Sequence, residues 1–182
     1  MANPGPTKTT DLCDASAAVQ VCELPWQSFG GRAAFAGTVC TVRYDDGLGI
    51  LRTVLREPGQ GRVLVIDGGG LPWHAMFGDV MAALAVQQGW EGVVVHGKIR
   101  DRAEIDAMPL GVKALGVVPR RASIAGQGER DVPVQMGGVS LVSGMWLVAD
   151  ADGVVVLPAG LGEADLGVEQ AVAATAAYAS RH

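Results

Sequence analysis

The stretch that decides the fold is RVLVIDGGG at residues 62–70, followed by GDVMAALAVQQGWEGVVVHGKIRD at residues 78–101. Residues 62–67 and 92–99 are short, continuous apolar runs, which is the pattern of strands covered on both faces. Between them, residues 79–88 form an amphipathic segment rich in Ala and Met. The order strand, helix, strand predicts two neighbouring parallel strands, and therefore a domain of the α/β class.

The remaining sequence adds a β-rich second half to this unit. Upstream, residues 33–44 form a β-rich stretch, and residues 48–55 are patterned as a helix that ends before Pro58. Beyond Leu110 the pattern changes to short strands separated by Gly-rich turns. We therefore predict a layered α/β domain with a central parallel βαβ unit. The short strands of the second half are predicted at 132–135, 139–142, 146–149 and 154–157.

Length and composition indicate one folded domain. The chain has 182 residues, which is enough for a core that needs no disulfide or structural metal. We expect residues 1–9 to be a flexible leader, residues 10–158 to be the domain, and the Ala-rich residues 159–182 to be a C-terminal helix. The composition is 49% hydrophobic and 18% charged, so we expect part of the apolar surface to lie between subunits.

Charge and targeting patterns exclude several classes of protein. A net charge of -5 argues against direct nucleic-acid binding, which depends on clustered Lys and Arg. The N-terminal MANPGPTKTT lacks the apolar core of a signal peptide, and no run approaches the roughly 20 apolar residues that span a bilayer. Cys13, Cys22 and Cys40 follow no metal-ligand spacing, and we expect them to be small buried hydrophobes. The expected compartment is the reducing cytoplasm, with no membrane partner.

Residues that can carry chemistry follow both predicted strands. In an α/β sheet, ligands bind beyond the carboxyl ends of the strands. The first end leads through a Gly-rich loop to Gly78, where the start of a helix offers backbone amides to a carboxylate or phosphate. At the second end, Arg100 can hold a carboxylate and Asp101 can ligate a hard cation. Structural roles alone also fit these positions, as a turn and helix cap at 78–79 and a surface ion pair at 100–101.

The spacing of these residues matches a known family. Residues 80–99 separate Asp79 from Arg100 and Asp101, and Glu104 lies three positions further on. In this pattern the chain resembles the family of the 4-hydroxy-4-methyl-2-oxoglutarate aldolases and the regulator of ribonuclease activity A, in its aldolase branch. The likeness runs from about residue 10 to residue 158 through FGGRAAFAG, RVLVIDGGG, LGVKALG and ADGVVVLP, in the order of the family.

The resemblance also implies an assembly and a set of site residues. It implies a swivelling β/β/α-type domain that forms a homotrimer or a dimer of trimers, with sites at the subunit contacts. Asp79 would act catalytically through a water held near a bound Mg²⁺ or Mn²⁺. The family commonly has Gly followed by Asp where this chain has Ser143-Gly144-Met145. The substrate-binding residues implied are Gly78, Asp79, Val80, Met81 and Arg100, and the metal-binding residues are Asp101 and, through water, Glu104.

The activity implied is that of a divalent-metal-dependent, class II lyase acting on small 2-oxo acids. Cleavage of a 4-hydroxy-2-oxo acid such as 4-hydroxy-4-methyl-2-oxoglutarate and decarboxylation of oxaloacetate both leave a pyruvate enolate. One site that stabilises this anion can therefore serve both reactions. Arg100 would place positive charge beside the enolate oxygen, and a water held by Asp79 would carry the proton.

Two other functions compete with this one. The first is a non-catalytic regulator that binds and inhibits an endoribonuclease, a branch of the family in which the acidic metal-binding positions tend to be replaced. The presence of Asp79, Asp101 and Glu104 favours the enzyme. The second is an S-adenosylmethionine-dependent methyltransferase, because VLVIDGGG looks like a strand and the Gly-rich loop that cradles this cofactor.

Other conspicuous residues have structural interpretations. We expect His96 to be a hydrogen-bonded histidine of the core, and His74 to lie on the approach to the site. Lys98 would share a strand face with Arg100, where an imine-forming role is the less favoured alternative to anion binding. Arg130-Asp131 repeats the Arg-Asp pair without the required spacing, and a loop ion pair is expected there.

Overall fold

The computed structural model of the protein describes residues 6–45, 47, 49–123 and 127–168. Within these residues the helices are α1 (Thr9–Ala15), α2 (Gly49–Leu55), α3 (Asp79–Gln87) and α4 (Arg102–Asp106), and Glu163–Leu166 is a 3₁₀ turn. The strands are β1 (Gln20–Val21), β2 (Gln27–Phe29), β3 (Phe35–Asp45), β4 (Val63–Asp67), β5 (Ala75–Phe77), β6 (Gly92–His96), β7 (Lys98–Ile99), β8 (Gly111–Ala114), β9 (Gln127–Arg130), β10 (Val134–Met136), β11 (Val139–Leu141), β12 (Trp146–Ala149) and β13 (Val154–Leu157).

A nine-stranded mixed sheet forms the centre of the molecule. Its strand order is β1-β13-β12-β3-β4-β6-β8-β2, and β9 pairs with the end of β3. The pairs β3–β4, β4–β6 and β6–β8 are parallel, whereas the outer pairs are antiparallel. The predicted central unit of β4, α3 and β6 is therefore confirmed, and β4 and β6 are direct neighbours.

Apolar cores lie on both faces of the sheet, as the alternation of side chains along a strand requires, and a third, smaller cluster forms where Leu12 of α1 packs on β12 and β13. On β4, Leu64 and Ile66 pack with helix residues such as Leu51 of α2. Val63 and Val65 belong to the opposite core, which contains the β10–β11 hairpin. Helices, central sheet and hairpin thus form three layers. The predicted α/β class, with a β/β/α layering and a β-rich second half, is confirmed.

A large aromatic ring is accommodated by two glycines on neighbouring strands. Gly92 and Gly111 are register partners on β6 and β8. A Cβ atom at either position would run into the ring of Phe35, which is 1% exposed. The absence of two side chains therefore makes the space for the Phe35 ring against β6 and β8.

The chain ends differ in detail from the expected boundaries. Helix α1 starts at Thr9, which is buried and hydrogen-bonded to Asp150 through its backbone N–H and its hydroxyl, each at 2.8 Å. Thr9 therefore belongs to the folded part and not to a flexible leader. Of the predicted C-terminal helix, residues 159–168 contain the 3₁₀ turn, and residues 169–182 lie outside the described residues.

Some expectations about single elements also need correction. The strand predicted at 92–99 is interrupted at Gly97, so β6 and β7 belong to different sheets. Cys13 is exposed, contrary to the expectation for all three cysteines. Cys22 and Cys40 are buried as expected, and burial raises the pKa of the Cys22 thiol to about 11.

Among the helices of the described residues, none has both the length and the apolarity needed to cross a membrane.

Candidate active site

A small parallel strand pair fixes the two predicted loop ends against each other. The strands β5 and β7 pair in parallel, with Phe77 opposite Ile99. The next backbone contact continues the pairing, because the Arg100 N–H donates to the Phe77 carbonyl oxygen at 3.0 Å. Residues 78–79 and 100–101 therefore lie side by side.

Arg100 and Asp101 form the polar centre of this junction. The Arg100 Nε donates to Asp101 Oδ2 at 3.0 Å, and the two side chains are 31% and 30% exposed. The same oxygen accepts the backbone N–H of Asp79 at 3.4 Å. Gly78 permits this approach, because a Cβ atom there would lie 2.7 Å from Asp101 Oδ2 and 3.2 Å from Arg100 Nε. The carboxylate, the guanidinium and the start of α3 are thus in direct contact.

The first amides of α3 have partners within the protein. The Val80 N–H donates to Oδ1 of Asp79 at 2.7 Å, and the Met81 N–H donates to the Gly78 carbonyl at 3.1 Å. The expectation of unpaired amides at this helix start is therefore wrong for Val80 and Met81. A bound carboxylate would take the place of the Asp79 side chain at the Val80 amide.

A cleft of about 120 Å³ opens at this junction. Residues 75–81 form one side of it, and the other lining residues are three arginines, Arg52, Arg100 and Arg121. Among the described residues, Asp79 is the single acidic residue of the lining. In a chain with a net charge of -5, this cleft is a local concentration of positive charge. Such a cleft favours a small anion.

Arg52 and Arg121 were not found from the sequence. Arg52 lies on α2, and Arg121 lies in the loop between β8 and β9. Neither is near residues 78–81 or 100–101 in the sequence, and neither is part of a spacing motif. Only the tertiary structure, which places both residues in the lining of one cleft, reveals them.

The donors available for a cation are few. Among the described residues, no group of three or more His, Cys, Asp or Glu side chains is gathered in one place. Asp101 uses Oδ2 for its internal contacts, so Oδ1 is the oxygen that could take a cation. Mg²⁺ binds to proteins through one or two carboxylates and keeps several waters. The donor set therefore fits a cation that is completed by water and substrate, and does not fit a preformed protein cage.

The remaining predicted residues have clear positions. Glu104 is exposed in the first turn of α4, which begins directly after Asp101. His74 is partly buried next to β5. Lys98 donates to the Leu115 carbonyl at 2.6 Å, which occupies its ammonium group away from an imine role. As expected, Arg130 forms ion pairs, here with Asp131 at 2.9 Å and with Glu57 at 2.5 Å.

His96 is a hydrogen-bonded structural histidine, as predicted. Its Nδ1 lies 2.9 Å from Oδ1 of Asp67, and that oxygen also accepts the Gly69 N–H at 2.9 Å. Burial raises the pKa of the Asp67 carboxyl, but the bonds from His96 and Gly69 outweigh it and hold this pKa below its ordinary value. The pair therefore anchors the Gly-rich loop to β6.

The departure at Ser143 also has a structural role. The Ser143 Oγ donates to Asp131 Oδ1 at 2.7 Å and accepts the Thr41 N–H at 2.9 Å. This hydroxyl thus ties the loop after β11 to β3. Ser143 and its partners Thr41 and Asp131 are remote in the sequence from Arg100 and Asp101.

Comparison with known proteins shows the family of this chain. The model of the RraA-like family, described as Aldolase/RraA, matches residues 9–156. The chain belongs to the RraA-like family. Its members include a protein from Xanthomonas campestris pv. campestris (strain B100), 47% identical over 161 residues that cover 88% of this chain and 97% of the relative. A relative from Alkalilimnicola ehrlichii is 49% identical over 149 residues, which cover 81% of this chain and 92% of the relative. Both carry the provisional name 4-hydroxy-4-methyl-2-oxoglutarate aldolase.

Solved structures of RraA-like proteins share the fold under different functional names. The RNA-processing inhibitor RraA from Thermus thermophilus superposes with a TM-score of 0.82 at 41% identity, over 87% of this chain and 96% of that one. A Geobacillus kaustophilus HTA426 protein, named S-adenosylmethionine:2-dimethylmenaquinone methyltransferase, superposes with a TM-score of 0.82 at 46% identity, over 85% and 97% of the two chains. The family is therefore clear, whereas the names within it cover three kinds of function.

Proposed function

We propose that this RraA-like protein is a divalent-metal-dependent lyase. It cleaves 4-hydroxy-2-oxo acids such as 4-hydroxy-4-methyl-2-oxoglutarate to pyruvate and decarboxylates oxaloacetate. The observation that carries the proposal is the Arg100–Asp101 contact at the start of α3, beside a cleft that Arg100 lines together with two further arginines. The names of the two bacterial relatives support an aldolase.

Arg100 binds the substrate and stabilises the charge that develops on it. Its Nε is held by Asp101, which leaves the terminal N–H groups of the guanidinium available for the 2-oxo oxygen or the carboxylate of the substrate. When the C–C bond breaks, the electron pair remains on the pyruvyl half as an enolate. A fixed donor beside that oxygen contributes about 3 kcal/mol to the stabilisation of such a transition state.

Asp101 is the residue proposed to hold Mg²⁺ or Mn²⁺ through Oδ1, with Glu104 as a more distant, water-mediated contributor. When bound, the cation supplies Lewis acidity toward the 2-oxo and carboxylate oxygens of the substrate. The Arg100 guanidinium holds Oδ2 of the Asp101 carboxylate next to the start of α3.

Asp79 is the proposed proton acceptor for the reaction. Its carboxyl group lines the cleft and is held at the start of α3 by the Val80 N–H. From there it can accept the proton of the 4-hydroxyl group through a water when the aldol bond is cleaved. In the substrate complex, the amides of Gly78 to Met81 are proposed to bind the substrate carboxylate, which takes the place of the Asp79 carboxyl at the Val80 N–H and leaves Asp79 to act through the water.

We also propose that the protein assembles as a homotrimer or a dimer of trimers with the site at a subunit contact. Large apolar side chains are exposed within or just before residues 75–81, the segment that lines the cleft. They are Leu71 at 40%, Trp73 at 65% and Val80 at 62% exposure. Surfaces of this kind are usually covered in an assembly. Light scattering of the purified protein measures this directly, and a monomer would contradict the proposed assembly.

The proposed activity is tested by pyruvate release from oxaloacetate and from 4-hydroxy-4-methyl-2-oxoglutarate, with lactate dehydrogenase as the coupling enzyme. We expect turnover with Mg²⁺ or Mn²⁺, and loss of turnover with a chelator. Arg100→Ala and Asp101→Asn should each lower turnover about a hundredfold, because each removes an electrostatic contact to the transition state. Asn is the matched change at position 101 because it tolerates the left-handed backbone found there. Activity that survives both changes would contradict the site assignment.

A regulatory role is the second candidate, favoured by the likeness to the Thermus inhibitor of RNA processing. Such a protein would act through protein contacts and would not need the cleft. An inhibition assay against an endoribonuclease separates the two functions. Inhibition that is unaffected by Arg100→Ala would assign regulation to another surface.

A methyltransferase is the third candidate and rests on the Gly-rich loop after β4 and on the name of the Geobacillus structure. The Gly-rich loop that suggested it is anchored to His96 by Gly68 and Gly70, and it lies outside the lining of the cleft. Calorimetry with S-adenosylmethionine tests this candidate, and we expect no binding.

A further inference from the structure

The cleft carries more positive charge than the pyruvyl half of a substrate requires. In the proposed function, Arg100 and the cation bound at Asp101 already neutralise a 2-oxo acid group. Arg52 and Arg121 line the same cleft and have no task in that account. Their positive charge could therefore bind a second anionic group of the substrate.

The backbone holds Arg121 at the cleft. Residue 121 forms a parallel β-bridge with Ala75, the first residue of β5. The Ala75 N–H donates to the Arg120 carbonyl at 2.7 Å, and the Ala122 N–H donates to the Ala75 carbonyl at 3.0 Å. The same strand β5 leads directly to Gly78, so Arg121 is fixed relative to the Arg100 junction.

Arg52 approaches from the helical layer. It is the exposed residue next to Leu51 on α2, and Leu51, Val54 and Leu55 bury the opposite side of that helix. The buried side fixes the orientation of α2, and in this orientation Arg52 lines the cleft.

Both guanidiniums are available for a ligand. Within the part of the chain that the structure describes, no carboxylate forms an ion pair with Arg52 or Arg121, whereas Arg100 and Arg130 are paired. An unpaired arginine in a cleft is suited to a planar carboxylate, which it can hold by two parallel hydrogen bonds.

We infer that Arg52 and Arg121 form a second anion subsite, which binds the carboxylate on the leaving half of a dicarboxylic 2-oxo acid. The subsite selects dicarboxylic over monocarboxylic substrates. This inference rests on the proposed function for the location of the 2-oxo group, and it adds the residues that recognise the other end of the molecule.

Two non-cleavable ligands of equal chain length test the subsite without catalysis. The ligands are 2-oxoglutarate and 2-oxopentanoate, which differ by a distal carboxylate in place of a methyl group. Calorimetry with Mg²⁺ present gives the affinity of each for the full chain. We expect 2-oxoglutarate to bind at least about tenfold more tightly, because a hydrogen-bonded charge contributes on the order of tenfold or more in affinity.

The variant that tests the inference is R52Q/R121Q. It should bring the two affinities within about twofold of each other and leave the affinity for 2-oxopentanoate nearly unchanged. Lysines in the same places should restore part of the preference, because charge remains but the bidentate contact is lost. The matched control is R56Q/R120Q, which removes the same charge from neighbouring positions outside the lining of the cleft and should keep the preference.

The outcomes separate this inference from the proposed activity. A preference for 2-oxoglutarate that depends on Arg52 and Arg121 supports the subsite, even in a protein that cleaves no 4-hydroxy-2-oxo acid. Pyruvate release with a preference that R52Q/R121Q leaves unchanged overturns the subsite and keeps the activity. Absence of any preference in the unmodified protein, or equal loss in the R56Q/R120Q control, also overturns it.

Discussion

At the scale of single residues, Asp101 combines a backbone and a side-chain task. Its φ of 56° is in the left-handed region, which costs most residues about 1–2 kcal/mol and which Asp tolerates better than most. Its carbonyl accepts the Ile105 N–H at 3.1 Å and so starts α4. Its carboxylate meets Arg100 and the Asp79 amide. The turn therefore aims the carboxylate back at the start of α3.

Gly78 tests how tightly this junction is built. Its φ of -150° is open to any residue, so Gly78→Ala introduces a steric effect and no backbone strain. The added Cβ would lie 2.7 Å from Asp101 Oδ2 and would displace the carboxylate. We expect kcat/KM for pyruvate release to fall about a hundredfold, as for a misplacement of catalytic groups by about 1 Å. The free energy of unfolding should change by less than about 1 kcal/mol.

The control for this change is Gly153→Ala, in the hairpin turn between β12 and β13. No atom lies within 4 Å of a Cβ there, and the residue has no positive φ. This variant should keep both activity and stability. Full activity in Gly78→Ala would contradict the close packing of Gly78 against Asp101.

At the scale of elements, the sequence predicts most of the sheet and both strands of the β10–β11 hairpin. The pattern predicts β3, β4, β6, β10, β11, β12 and β13, and does not predict β1, β2, β5, β8 or β9. In the pair β5–β7, β5 has only three residues, and β7 is predicted as the end of the strand that contains β6. That pair carries Arg100 into place, so the spacing of the motif, and not the strand pattern, indicates the site. That Arg52 and Arg121 line the cleft is evident from the tertiary structure alone.

The slot for Phe35 gives a prediction about the central sheet. Gly111→Ala would place a methyl group against the Phe35 ring, and overpacking of this kind costs about 1–3 kcal/mol in the free energy of unfolding. Urea denaturation measures the loss. Phe35→Leu in the Gly111→Ala background should recover part of it, since the smaller side chain leaves room for the methyl group. Strictly additive losses in the double mutant would show that the two positions do not share a space.

At the scale of the whole molecule, the first helix is tied to the last hairpin. The backbone and hydroxyl of Thr9 both donate to the carboxylate of Asp150, at a separation of 141 positions in the chain. Burial raises the pKa of Asp150, but the hydrogen bonds from Thr9 and Asp152 outweigh burial and hold it below its ordinary value. The buried Lys113 ammonium donates to the Asp150 carbonyl in the same corner and to Ser28 Oγ at 2.7 Å.

This tie predicts a defined dependence of stability on pH. Because the pKa of Asp150 is lower in the folded state, its contribution is complete above the ordinary aspartate value of about 3.9 and is lost as pH falls through the folded-state pKa. Asp150→Ala should lower the free energy of unfolding by about 1–3 kcal/mol at pH 7. Urea denaturation between pH 7 and 3 should show the difference from the unmodified protein shrinking below about pH 4.

The control is Asp152→Ala, at the exposed neighbouring aspartate, which should have a small effect on the free energy of unfolding. A difference for Asp150→Ala that is equal at pH 7 and pH 3 would contradict the role of its charge.

The central claim is that the Arg100–Asp101 junction binds a 2-oxo acid together with a divalent cation. The most direct measurement is a crystal structure of the protein with Mn²⁺ and pyruvate, in which the anomalous signal of manganese locates the cation. We predict the manganese peak at Asp101 and pyruvate in the cleft, in contact with Arg100 and the start of α3. A manganese peak at another group of residues, or a cleft without pyruvate at saturating concentration, would contradict the account.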